Sequence, residues 1–215
     1  MAKNILEIYK EHNVMPNLQE HMLRVAAVAS LICDNCTEKL NKEDIITACL
    51  LHDIGNIVQF QLSYFPEFNK PQGIEYWQGI QNEYIRKYGE NKDKATLQIV
   101  QNMGVSDKII ILIKQINFSL LSNQSISDDM NSKVACYSDL RVDPNGVVSF
   151  QEHIGEGEKR YQSRKGDFPD EKRQILIECC QDIEDDIFAK CKIKATDITN
   201  EAILPIIEEL KNFVI

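Results

Sequence analysis

Leu50-Leu51-His52-Asp53-Ile54-Gly55 is the stretch whose reading decides the fold. It closes the run Ile45-Ile46-Thr47-Ala48-Cys49-Leu50-Leu51, in which Ile45, Ile46, Cys49 and Leu50 share one helical face. Asn41 is suited to cap that helix, and Glu43 and Asp44 suit its positive first turn. His52 and Asp53 then continue the buried face at the C-terminal end, and Gly55 lets the chain turn away. Adjacent helical residues point about 100 degrees apart, but at a helix end that turns, both side chains can converge on one ion. An imidazole beside a carboxylate suits a hard or borderline divalent cation and leaves positions for water and substrate.

A second imidazole lies upstream. Leu18, Met22, Val25, Ala29 and Ile32 form one stripe of a helix over about 18–35, with Asn17 as its expected N-cap, and His21 sits on the edge of that stripe. Downstream, Asp139 lies inside the otherwise uncharged helical run Val134-Ala135-Cys136-Tyr137-Ser138-Asp139, where Ala135 allows close helix approach. A carboxylate buried there costs several kcal/mol unless a cation meets it. Asp128, Asp129 and Asp143 flank loops and read as solvated or capping residues. The expected ligands of one divalent ion are therefore His21, His52, Asp53 and Asp139.

The rest of the chain is also helical in period. Further helices are expected over about 3–12, 74–88, 91–103, 106–122, 130–141, 151–163, 170–191 and 199–213, so the fold class is all-α. The stretch 61–73 reads as a long loop of the kind that covers a site, and Asp143-Pro144-Asn145-Gly146 as a turn before a short extended piece over 147–150. Trp77, Tyr76 and Tyr84, at helical spacing, read as core. Arg160, Arg164 and Lys165 with Tyr161 read as a solvated face.

The chain has 215 residues, 43% of them hydrophobic and 27% charged, which suits one principal domain. The division expected is a helical domain over 1–168 and a C-terminal helical extension over 169–215, packed on the same core or serving a homodimer. A formal charge of −9 opposes binding of long nucleic acid, although a bound cation can invert the potential inside one pocket. No stretch approaches about 18 consecutive apolar residues, and the start lacks the uncharged run of a signal peptide, so a cytoplasmic protein without a membrane partner is expected. Seven cysteines scattered through helical stretches fit reduced thiols. Cys33 and Cys36 have the spacing of half a zinc knuckle, with only Cys179 and Cys180 as distant partners.

The order His21, then His52-Asp53 within Leu-Leu-His-Asp-Ile-Gly, then Asp139 after Ser138 resembles the HD-domain superfamily of metal-dependent phosphohydrolases, over about residues 15–142. The resemblance implies an α-helical bundle with additional C-terminal helices and one divalent metal ion, Mn, Mg, Co, Ni, Fe or Zn. It also implies a small phosphorylated substrate, plausibly a nucleotide, hydrolysed by a water that the metal activates. Asn56 stands where many relatives carry Lys and where a deoxynucleotidase branch carries Glu. That departure keeps open an alternative, an HD fold acting as a ligand-binding or regulatory module. Binuclear branches need further histidines between the HD pair and the last Asp, and this chain has none there, so one ion is expected.

For the phosphate, Arg24 shares nearly the same helix face as His21, and Arg141 follows Asp139 at a helix end; either could clamp a phosphoryl group bidentately. Arg24 could instead pair with Glu20, and Arg141 could cap helix carbonyls. Asp53 and Arg24 are the expected catalytic residues, with Arg24, Asn56 and Arg141 on the substrate. Asp93 is a weaker candidate for a further ligand.

Overall fold

The computed structural model describes residues 3–117, 120–121, 127–165 and 169–215, and for 160–165 it describes the backbone alone. The fold is a helical bundle. Its helices are α1 (Ile5–Glu11), α2 (Pro16–Asn35), α3 (Lys42–Leu51), α4 (Ile74–Tyr88), α5 (Lys92–Met103), α6 (Asp107–Gln115), α7 (Met130–Leu140), α8 (Phe150–Lys165), α9 (Asp170–Phe188) and α10 (Asn200–Leu210). One antiparallel hairpin, β1 (Val142–Asp143) and β2 (Gly146–Val147), interrupts them.

α2 and α3 form the centre. The expected stripe of α2 is buried, but so are Leu23, Ala26, Ala27, Val28 and Ser30, because α3, α7 and α10 surround this helix. Its run of Ala and Ser lets those neighbours approach. Every residue of α3 from Ile45 to Leu51 is buried, as befits a helix that is apolar all round. Tyr9 of α1 locks onto this centre, its hydroxyl donating to Leu50 O at 2.8 Å.

Local rules moved some boundaries. Met15 is the N-cap of α2, with Pro16 in the first turn, so Asn17 lies inside the helix. Asn41 does cap α3 in position, yet its side chain makes no capping bond; its backbone N–H donates to Asn131 Oδ1 at 2.8 Å, tying α3 to α7. The helix expected over 106–122 ends at Gln115, and its expected last residue falls outside the described ones. The loop over 61–73 contains a 3-10 turn, Pro66–Asn69, whose Asn69 is buried and donates to Leu62 O at 2.8 Å. Trp77 and Tyr84 are core, but Tyr76 is exposed. The side chains of Arg160, Tyr161, Arg164 and Lys165 lie outside the described residues.

At the C-terminal side, α9 packs on α7 and α8, and α10 on α2. The ends of α2 and α9 are clasped: Thr37 N–H donates to Lys190 O at 2.8 Å and Lys192 N–H to Asn35 O at 2.9 Å, which sets Cys36 opposite Cys191. The partner of Cys36 is thus Cys191 rather than Cys179 or Cys180, and all seven thiols are free. Among the described residues no helix is long and apolar enough to cross a membrane.

Candidate functional site

Three stretches converge. α2 supplies His21, the turn after α3 supplies His52 and Asp53, and the last turn of α7 supplies Asp139. His21 Nε2 lies 3.0 Å from Asp139 Oδ1, and His52 Nε2 lies 3.4 Å from the same oxygen and 4.0 Å from Asp53 Oδ2. One ligand atom each from His21, His52 and Asp53 falls within 4.8 Å of the others. The two imidazole centroids are 5.3 Å apart.

His52 is oriented from behind. Its Nδ1 bonds Cys49 O at 2.7 Å, which turns Nε2 toward the cluster. A backbone carbonyl in that place is the usual outer partner of a metal-binding histidine. His52 Nε2 is buried and makes no hydrogen bond, since the Asp139 contact is too poorly formed to count as one. A buried polar atom left so costs free energy unless a partner is supplied. Adjacent ligands of an octahedral ion with bonds of about 2.1 Å stand about 3 Å apart, so the spacing and the imidazole–carboxylate donor set both fit a divalent cation.

The charges reinforce one another. Burial alone would raise the Asp139 carboxyl, but the hydrogen bond from His21 and the charge of both imidazoles hold it well below the usual carboxylate range. Burial alone would lower the His52 imidazole, yet Asp53 and Asp139 raise it to about 9. Burial raises Asp53 less than Lys92, His52 and His21 lower it.

Asn56 donates from Nδ2 to Asp53 Oδ2 at 2.8 Å, so it orients a carboxylate instead of replacing a lysine. The cation near that carboxylate comes from elsewhere. Lys92, in the first turn of α5, places Nζ 3.8 Å from Asp53 Oδ1. α5 is brought there by a close approach: Gly55 N–H donates to Thr96 Oγ1 at 3.1 Å, and a Cβ on Gly55 would meet Thr96 N at 2.5 Å.

A cavity of about 460 Å³ opens on this cluster, and His21, Asp53, Asn56, Lys92 and Asp139 line it. Neither expected arginine is among its lining residues. Arg24 pairs with Glu20 at 3.1 Å and donates to Pro144 O at 3.5 Å. Arg141 is 5% exposed and spends its guanidinium on Val148 O, Tyr137 Oη, Ala195 O and Ile198 O, at 2.6 to 3.4 Å. It ties α7 to the segment before α10. Asp93 is exposed and accepts from Asn117 at 3.3 Å.

Lys92, Phe60, Phe65, Phe68 and His153 also line the cavity and were not read as site residues. The glycine of the Leu-Leu-His-Asp-Ile-Gly string held a signal for Lys92, since a backbone crossing against Gly55 had to come from some later element. His153, whose Nδ1 bonds Val142 O at 3.0 Å, carried none, because only the packing of α8 on β1 places it.

The helical bundle thus gathers two imidazoles and two carboxylates, with His21, Asp53 and Asp139 facing a cavity and His52 buried beside them, and this donor set could hold a metal ion. Residues 18–110 match the family model described as HD domain, so this part of the chain is similar to the domain of the HD superfamily of metal-dependent phosphohydrolases. That match includes His21, His52 and Asp53 and ends before Asp139. An uncharacterized protein of Clostridium beijerinckii is 35% identical over 91 residues, covering 41% of this chain and 52% of that protein, about half its length. No solved structure matches.

Proposed function

We propose that the protein is a metal-dependent hydrolase of small phosphate esters, nucleotides among the candidates, with one divalent ion held by His21, His52, Asp53 and Asp139. The observation that carries this reading is the buried His52 Nε2, unsatisfied and aimed at the oxygen that His21 also meets. When bound, the ion supplies an acidified water and neutralises charge on the phosphoryl group.

The chain's own groups do the rest. Cys49 O fixes the ring of His52, and Asn56 holds one oxygen of Asp53 so that the other faces Lys92. Lys92 is placed to meet a phosphoryl oxygen, the task first assigned to Arg24 and Arg141. The phenylalanines over 60–68 shield the reacting group from bulk water.

The test is metal content of purified protein, followed by turnover of a phosphomonoester and nucleotide panel with Mn, Co, Ni and Mg. Metal near one equivalent, with turnover lost in His52→Ala and Asp53→Ala, is the expected result. Bound metal without turnover of any phosphate ester would leave the protein a ligand-binding HD module.

A further inference from the structure

The cavity has two kinds of lining. Beside the ligand cluster stand Phe60, Phe65 and Phe68, joined by Leu18, Ile154 and the buried Leu176. Phe65 and Phe68 have ring centroids 4.8 Å apart at 41°, and Tyr64 meets Phe65 edge-on at 4.7 Å, so the aromatic wall is a packed surface. An apolar cavity of about 150 Å³ already holds a benzene ring. The 460 Å³ here exceeds what one phosphoryl group and its ion occupy.

Gly157 of α8 also lines this space. A mid-helix glycine costs about 1 kcal/mol relative to alanine, and the common reason to keep one is close packing. Among the described residues that reason is absent: none of them lies within 4 Å of a Cβ built on Gly157. The missing side chain therefore leaves room in the cavity and relieves no clash.

Charge limits how many phosphates fit. Among the described lining residues Lys92 is the one Lys or Arg, against Glu20, Asp53, Asp139, Asp143 and Glu158. Glu158 is paired with Arg173 at 2.8 Å, Glu20 with Arg24 at 3.1 Å, and Asp143 accepts from the Asn145 and Gly146 N–H groups, so the remaining excess is the two cluster aspartates. One phosphoryl group on the ion and Lys92 is accommodated; a second or third meets carboxylates or phenyl rings.

We propose that the cavity selects phosphomonoesters of a flat, apolar alcohol, with the ester group lying against Phe60, Phe65 and Phe68 and Gly157 setting the room for it. This rests on the hydrolase reading for turnover, but its binding arm does not. Hydrolysis takes water and breaks the ester P–O bond, releasing the alcohol and inorganic phosphate.

The experiment uses the Mn-loaded full chain. Dissociation constants of 2-naphthylmethylphosphonate, methylphosphonate, AMP and ATP are measured by calorimetry, and kcat/KM is measured for benzyl phosphate and ethyl phosphate, whose alcohols are similar leaving groups. The naphthyl ligand is expected to bind about thirty-fold tighter than methylphosphonate, from the apolar area it buries. Phe65→Ala and Gly157→Leu are each expected to reduce that ratio about tenfold. Gly157→Ala, which adds one methyl to open space, checks that the helix tolerates substitution. Equal binding of the two phosphonates, or tighter binding of AMP or ATP than of the naphthyl ligand, would overturn the proposal. Naphthyl selectivity without turnover of either ester would sustain the ligand class and sink the hydrolase.

Discussion

Asn56 Nδ2 donates to Asp53 Oδ2 at 2.8 Å, three residues along the same turn, and so fixes which oxygen of that carboxylate faces the cluster. Outer partners of this kind commonly change metal affinity by about 10- to 100-fold. Asn56→Ala is expected to weaken Mn binding by that factor with the fold retained, read by calorimetry and circular dichroism. Unchanged affinity would remove the positioning role.

Gly55 faces α5 with no space for a side chain, because a Cβ would lie 2.5 Å from Thr96 N and 2.9 Å from Ala95 C, both backbone atoms. Gly55→Ala is expected to destabilise the protein by about 1–3 kcal/mol, as overpacking does, and to lower activity by moving the helix that carries Lys92. Urea unfolding gives the first figure. An unaltered midpoint would mean that α5 yields freely.

Lys92→Met removes the cation beside Asp53 and leaves the four expected ligands in place. Metal content should stay near one equivalent while kcat/KM for phosphate esters falls about 100-fold, a loss typical of one charge contact to a transferring phosphoryl group. Lys92→Arg should recover part of it. Wild-type turnover in Lys92→Met would reassign the phosphate contact.

The cluster also fixes the pH dependence of stability. His52 is raised to about 9 in the metal-free protein, so its contribution is complete below the ordinary histidine value of about 6.5 and is lost as pH rises through about 9. Asp53 and Asp139 are depressed, so theirs is present above the ordinary carboxylate value of about 4 and lost as pH falls through the folded values. Metal-free protein is expected to be most stable between about pH 4 and 6.5 and to lose Tm toward 9.5. With Mn, Tm should instead rise from pH 6 to 8, because protons compete with the ion for imidazole. Parallel profiles with and without metal would falsify the shared site.

Much of this was legible in the residues. The helical period gave α2 and α3 their inward faces, and the Leu-Leu-His-Asp-Ile-Gly string placed an imidazole and a carboxylate at a turn. What escaped depends on packing between distant elements. Pro16 rather than Asn17 sets the start of α2, a local rule that Asn17's capping propensity obscured. The arginines looked suited to phosphate because they neighbour ligands in sequence, but Pro144 O and Glu20 meet Arg24, and four acceptors from α7 and from later chain surround Arg141. Lys92 and the phenylalanines reach the cavity through the crossing at Gly55 and the turn at Pro66–Asn69, neither of which leaves a periodic trace.

The clasp between Thr37 and Lys190 and between Lys192 and Asn35 has a mechanical consequence. It pins the end of α9 to α2, while Leu176, fourteen residues before Lys190, forms part of the cavity wall. Backbone bonds thus hold the Lys190 edge of α9, while side-chain contacts such as Arg173 with Glu158 hold its Leu176 half, so an occupant pressing on the wall is expected to displace the Leu176 half first. Deuterium uptake should register such an occupant over 170–180 and remain constant over 186–192.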